Sequence, residues 1–125
     1  MTAKRILSVG QCGADHGSIS RVFQRAFAAE VVGVDTTVEA LEKMRREAFA
    51  LVLVNRIFDV DGSSGLEFIK QVKGDEALAA TPVMLVSNYM DAQKLAVEAG
   101  AAPGFGKAEL GAVQMIERMK GVLGS

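Results

Sequence analysis

The chain has 125 residues, which suits one domain with a substantial core, since compact domains most often run to about 100–150 residues. Half of the residues are hydrophobic and the formal net charge is −1, so there is no cationic excess to displace counterions, and nucleic-acid binding by this domain alone is not expected. The single cysteine, Cys12, excludes an internal disulfide, and the longest apolar run, Ala48 to Val54, falls far short of the roughly 18 residues of a transmembrane helix.

Arg5 to Val9 is a short, mostly apolar strand that stops at Gly10. Lys4-Arg5 precedes too brief an apolar stretch for a signal peptide, so a soluble cytoplasmic protein is expected. A loop from Gly10 to Gly17 follows, and then Ile19, Val22, Phe23, Ala26 and Phe27 recur along one face of a helix. Glu30 to Val34 reads as a second strand, ended by Asp35. Thr36 and Glu39 have the spacing of a capping box, with Thr36 to cap and Glu39 to reach back. Val38, Leu41, Met44 and Ala48 then mark the apolar stripe of a second helix.

Ala50-Leu51-Val52-Leu53-Val54-Asn55 is the stretch around which the rest is organised. Five consecutive aliphatic residues without helical spacing predict a strand buried on both faces, as in a parallel sheet covered by helices. Asn55 stands at its carboxyl end, where open sheets of this kind bind ligands. A polar loop, Arg56 to Ser64, leads to a helix bearing Leu66, Ile69 and Val72; Gly74 and Thr81-Pro82 break that pattern. Val83 to Val86 is a fourth strand ending on Ser87, and Asp91 is placed to cap a helix carrying Leu95, Ala96 and Ala99. Ala102 to Gly106 supplies a short or irregular fifth strand, because Pro103, Gly104 and Gly106 surround Phe105. Leu110, Val113, Ile116 and Met119 mark the last helix.

Strands and helices therefore alternate five times, with no repeat or linker. The expectation is one domain over residues 1–125 with a three-layer, doubly wound (βα)5 flavodoxin-like fold and a parallel sheet of order 2-1-3-4-5. In that order the strand ends Gly10, Gln11, Asn55, Ser87 and Lys107 converge on one pocket.

Along nearly its whole length the chain resembles the receiver domain of two-component response regulators. The likeness is carried by Val38-Glu39-Ala40-Leu41, Leu51-Val52-Leu53-Val54, Gly65-Leu66-Glu67, Pro82-Val83-Met84-Leu85-Val86-Ser87 and Glu98-Ala99-Gly100-Ala101. In that family an Asp ending the third strand accepts a phosphoryl group from a histidine kinase, and an acidic pair after the first strand holds Mg²⁺ with it. A Ser or Thr and a Lys then grip the phosphoryl oxygens. The resemblance places Asn55 at the acceptor position, Gly10 and Gln11 at the acidic pair, Ser87 and Lys107 at the phosphate contacts, and Phe105 near the switch aromatic. All three carboxylates are therefore missing. The family's Lys-Pro step is Lys107-Ala108, for which a trans bond is expected.

An amide forms no acyl phosphate, and Gly, Gln and Asn offer only neutral ligands to a hard cation that favours carboxylates. The resemblance thus implies a pseudo-receiver, not an enzyme, with Mg²⁺ binding lost and no cofactor. It would act on a signalling partner or a fused effector domain, or as a homodimer through the face of the fourth helix, fifth strand and fifth helix. Lys107, lacking its usual anionic neighbours, is expected to bond the side-chain oxygen of Asn55 or Gln11 and, less readily, to attract an anion with Ser87 and loop N–H groups.

The glycines Gly10, Gly13 and Gly17, with Asp35 ending the next strand, also have elements of a dinucleotide-binding unit, although the spacing is not Gly-x-Gly-x-x-Gly. An anion or nucleotide sensor built on that loop, Ser87 and Lys107 is accordingly the alternative function. Another, less favoured, is phosphotransfer on Asp59 or Asp61. Asp15, Asp59 and Asp61 read mainly as turn formers, His16 as a solvated loop residue, and Cys12 as a thiol near a helix N-terminus without a resolving partner. Tyr89 and Met90, if exposed, suit a partner surface.

Overall fold

The five apolar runs pair into a single sheet in the computed structural model, which describes residues 4–124. β1 (Arg5–Val9), β2 (Glu30–Val34), β3 (Leu51–Asn55), β4 (Val83–Val86) and β5 (Ala102–Phe105) lie in the order β2-β1-β3-β4-β5. Each pairing is parallel. The helices α1 (Gly13–Phe27), α2 (Thr37–Arg46), α3 (Gly65–Lys73), α4 (Met90–Glu98) and α5 (Val113–Leu123) each follow one strand, and a one-turn 3-10 helix, Lys107–Glu109, precedes α5. This is the doubly wound order that the alternation predicts.

β3 is central because both of its faces are buried. Leu51, Val52, Leu53 and Val54 are each 0% exposed. Val52 and Val54 join Leu7, Val9, Val83 and Leu85 in a core packed against Ala40 and Met44 of α2, Phe68, Ile69 and Val72 of α3, and Ala96 of α4. Leu51 and Leu53 join Ile6, Met84, Val86 and Phe105 in a second core, against Ile19 and Phe23 of α1 and Met115, Met119 and Leu123 of α5. Burying one such aliphatic side chain contributes about 1.5–3 kcal/mol, so the two layers together dominate the driving force for folding. The β1–β3 and β3–β4 registers, Val9 beside Val54 and Asn55 beside Val86, bring the carboxyl ends of the three central strands level.

Four helices depart from the predicted stripes, and β5 is irregular as expected. Val38 is 67% exposed, and Ala48 lies beyond the end of α2; Ala40 joins the predicted Met44 in the core. Ala26 of α1 and Leu95 of α4 face outward. Val113 opens α5 and is 76% exposed, so that the stripe runs Met115, Met119, Leu123. Thr36 caps α2 as predicted, its hydroxyl accepting from Glu39 N, but the Glu39 carboxylate reaches back to that hydroxyl rather than to the backbone. Tyr89, not Asp91, stands at the N-cap of α4. The β4–β5 register slips between Met84 and Val86, and the Gln93 amide spans the slip, donating to Leu85 O at 2.8 Å and accepting from Gly104 N at 3.2 Å.

Candidate functional site

At the carboxyl edge, β3 delivers Asn55, β4 delivers Ser87, and the turn after β5 delivers Lys107. These three line one open cleft of about 420 Å³ together with Arg56, Asn88 and Tyr89. The Arg56 guanidinium lies 4.9 Å from the centre of the Tyr89 ring, a cation–π contact across the mouth.

Asn55 is half-buried, and its Nδ2 donates to Gly10 O at 2.9 Å. The same carbonyl accepts from Asp59 N at 2.9 Å, so the end of β3 and the loop after it are both tied to the end of β1. That loop closes on itself through an antiparallel Ile57–Ser64 bridge and buries Phe58 to 1% exposure. Gly10 has a φ of +76°, and a Cβ built on it would stand 2.4 Å from Phe58 Cδ1. The aromatic ring thus fills the room that a side chain at position 10 would need.

Ser87 is buried, and its hydroxyl accepts from Tyr89 N at 3.1 Å, turning the chain into α4. The Lys107–Ala108 bond is trans, as the missing proline predicts. Ala108 N donates to Asn88 Oδ1 at 3.1 Å, which fixes the turn that carries the lysine. Phe105 is 1% exposed with its ring 6.2 Å from that of Phe23, facing α1 and α5 rather than solvent.

Two expectations about the pocket fail. Lys107 does not turn to Asn55 or Gln11; its Nζ pairs with Asp15 Oδ2 at 2.6 Å. Asp15 sits in the first turn of α1 because Cys12 caps that helix, its sulfur accepting from Asp15 N at 3.5 Å. The hydrogen bond from Lys107 holds the Asp15 carboxyl below the usual carboxylate range; it outweighs the opposing effect of burial, and the Cys12 contact and the Lys107 charge add to it. Nor does Gln11 join Asn55, Ser87 and Lys107. It is 6% exposed and lines a separate cleft between β1 and β2, because Gly10 turns the chain away from β3.

His16 is not the solvated loop residue expected: α1 begins at Gly13, and the half-buried His16 ring lies within it, Nε2 3.4 Å from Ser20 Oγ. Asp61 accepts from Ser63 N at 2.9 Å in a turn, which lowers its pKa through the Ser63 side-chain and backbone bonds. Among the described residues no three His, Cys, Asp or Glu side chains group as a metal site. Phe58 and Arg56 were missed by sequence reasoning. The signal for Phe58 was the one aromatic in the loop after β3, beside Ile57; Arg56 had none.

No family model matches the chain, and no curated protein matches its sequence. Solved structures do match in three dimensions. A response regulator from Thermotoga maritima superposes with a TM-score of 0.79 at 21% identity, covering 99% of this chain and 100% of that one. The chemotaxis response regulator CheY4 of Vibrio cholerae gives 0.79 at 22% identity, covering 98% and 100%. This chain has the receiver fold. NtrX from Brucella abortus also matches, with a TM-score of 0.81 at 18% identity over 98% of this chain but 27% of its own, so the receiver fold there is part of a longer protein. The likeness at these identities is one of fold, and the chemistry of this receiver fold rests on its own residues. No described helix is long and apolar enough to cross a membrane.

Proposed function

We propose that the chain is a pseudo-receiver of two-component signalling, a non-enzymatic cytoplasmic module that works by protein–protein contact without being phosphorylated. The observation that carries this reading is the brace at the end of β3. Asn55 occupies the acceptor position as a hydrogen-bond donor to Gly10 O, and Phe58 packs where a carboxylate at position 10 would project.

The donor set does not fit Mg²⁺. A hard cation that dehydrates reluctantly needs anionic oxygens, whereas Asn55 turns its nitrogen toward the end of β1, Gly10 has no side chain and Gln11 lies in another cleft. The nearby carboxylate of Asp15 is neutralised by Lys107. Phosphoryl transfer rests on positioning and charge neutralisation by the metal, and the residues here supply neither. The same ion pair weighs against an anion sensor built on Lys107 and Ser87, because the lysine already has its counter-charge.

Partner contact is assigned to the face of α4, β5 and α5. Met90 and Val97 are 85% and 43% exposed there, lining a groove of about 500 Å³ that reaches Pro103 and Arg118. The occupant of that face is a signalling protein, a fused effector domain or a second copy. The test is an amide NMR titration with Mg²⁺ and then beryllofluoride, a phosphoryl mimic. The reading expects no saturable shift at Gly10, Asn55, Ser87 or Lys107; a saturable shift centred on them would overturn it.

A further inference from the structure

Among the described residues, three buried side-chain atoms lack a hydrogen-bond partner: Ser8 Oγ, Gln11 Nε2 and Gln11 Oε1. Both residues line the same cleft of about 270 Å³, between the ends of β1 and β2 and beside the first turn of α1. Ser8 is 1% and Gln11 6% exposed, so a ligand in the cleft pairs with the amide once the Gln11 side chain turns toward it. Buried polar groups are paired in the great majority of cases, and an unpaired group calls for an explanation at its own site. Two such residues on one cleft point to a ligand that supplies the partners.

We propose that this cleft binds an uncharged purine nucleoside. A primary amide sets an acceptor beside a donor, and its natural complement is an edge that does the same. Gln pairs in this bidentate way with N6 and N7 of adenine. The Asp35 carboxylate lines the outer part of the cleft at the end of β2, where an acidic residue in a strand–helix–strand unit accepts from ribose hydroxyls. Gly13, at the start of α1, also lines the cleft, and a Cβ there would meet nothing within 4 Å, so a ligand can approach the backbone closely. The His16 ring closes one side, lying so near Gly33 that a Cβ on Gly33 would come within 2.9 Å of His16 Cε1.

Charge decides between a nucleoside and a nucleotide. No lysine or arginine lines the cleft, and Asp35 is acidic, so a phosphate gains nothing there. The volume lies near the lower end of small-molecule sites, about 300 Å³, which excludes a dinucleotide. The site shares no residue with the Asn55–Ser87–Lys107 cleft and is independent of the function proposed above.

The experiment is an amide NMR titration of the whole chain with adenosine, and in parallel with inorganic phosphate and with ribose alone. Saturable shifts with adenosine at Ser8, Gln11, Gly13, Gly33 and Asp35 are expected, with none at those amides from phosphate and weaker ones from ribose. Gln11→Met, an apolar replacement of similar length, is expected to weaken adenosine binding by about tenfold or more and to raise the melting temperature of the free protein, because it removes both orphan atoms. If that variant does not fold, Asp35→Asn at the exposed strand end is expected to fold normally and to weaken adenosine while leaving adenine alone unchanged. Absence of saturable adenosine shifts, equal shifts from phosphate, or a folded Gln11→Met variant with undiminished adenosine binding would each overturn the proposal.

Discussion

Replacing Asn55 by the acid expected at its position is the most informative perturbation. Asn55→Asp deletes the donor to Gly10 O and sets a carboxylate oxygen where a nitrogen now lies 2.9 Å from that carbonyl. The carbonyl itself is not orphaned, since Asp59 N still donates to it, so the lost hydrogen bond alone costs only about 0.5–1.5 kcal/mol. Lone-pair repulsion and the half-buried charge add to this, giving a total of about 1–3 kcal/mol near neutral pH. The pH dependence identifies the cause. The new carboxyl is better tolerated protonated, so its folded-state pKa is raised above the unfolded value of about 3.9. The penalty is therefore full above the raised value and shrinks as pH falls toward the unfolded one, because the protonated group can donate again. Urea denaturation at a series of pH values measures it, with the native chain as reference. Alongside, Mg²⁺-dependent labelling by a phosphodonor should remain absent. A variant as stable as the native chain at neutral pH, a penalty independent of pH, or robust labelling would each refute the reasoning.

Gly10→Ala combines a φ of +76° with a 2.4 Å approach to Phe58, and should destabilise by about 2–5 kcal/mol in the same denaturation assay. Phe58→Ala alone should cost about 3–5 kcal/mol, and the double variant should cost less than the sum, since the shortened side chain relieves the clash. Lys107→Met should lower stability by under about 1 kcal/mol, as both partners of the ion pair are partly exposed. The Asp15 carboxyl is depressed by Lys107, so this contribution is present above the ordinary value of 3.8 and is lost as pH falls through the lower folded-state value. The native and variant stabilities should therefore converge in that acid window, and NMR titration of the Asp15 carboxyl should move toward the ordinary range in the variant. Lys73 Nζ donates to Ala79 O and Thr81 O, each at 2.9 Å, and holds the approach to β4; Lys73→Met should cost about 1–3 kcal/mol by leaving those carbonyls unpaired, again read by denaturation.

The strands were legible because a strand buried on both faces needs only an unbroken apolar run, and such runs stand out whatever surrounds them. Val83 to Val86 and Leu51 to Val54 illustrate this. Helical faces were less legible because an apolar stripe is wide and its phase is set by the sheet beneath it. In α2 the sequence offers Val38, Ala40, Leu41 and Met44, and the pairing of β1 with β3 selects Ala40 and Met44. In α5 the turn at Gly111, with φ of +87°, delays the helix until Val113, so that the periodic pattern beginning at Leu110 is out of phase. The site was half legible. Strand ends predict which backbone positions meet, which is why Asn55, Ser87 and Lys107 share a cleft. The reach of side chains from other elements was not predicted, and the Asp15–Lys107 pair, 92 positions apart, depends on it.

The residues that the proposed function sets at receiver positions each have a structural task, and that bears on what phosphoryl chemistry would require here. Asn55 braces β3 against the end of β1, Gly10 makes room for Phe58, the Ser87 hydroxyl turns the chain into α4, and Lys107 anchors the start of α1 through Asp15. A carboxylate placed at position 55 meets a carbonyl, and one placed at position 10 meets an aromatic ring. Lys107 would have to leave Asp15 before it met a phosphoryl oxygen. Either carboxylate alone therefore lowers stability before a metal-binding charge is complete, and one at position 10 requires a change at Phe58 with it. Substitutions on the α4–β5–α5 face meet no such barrier: Met90 and Val97 are exposed, so their exchange costs the fold little, and under the proposed function it alters partner contact.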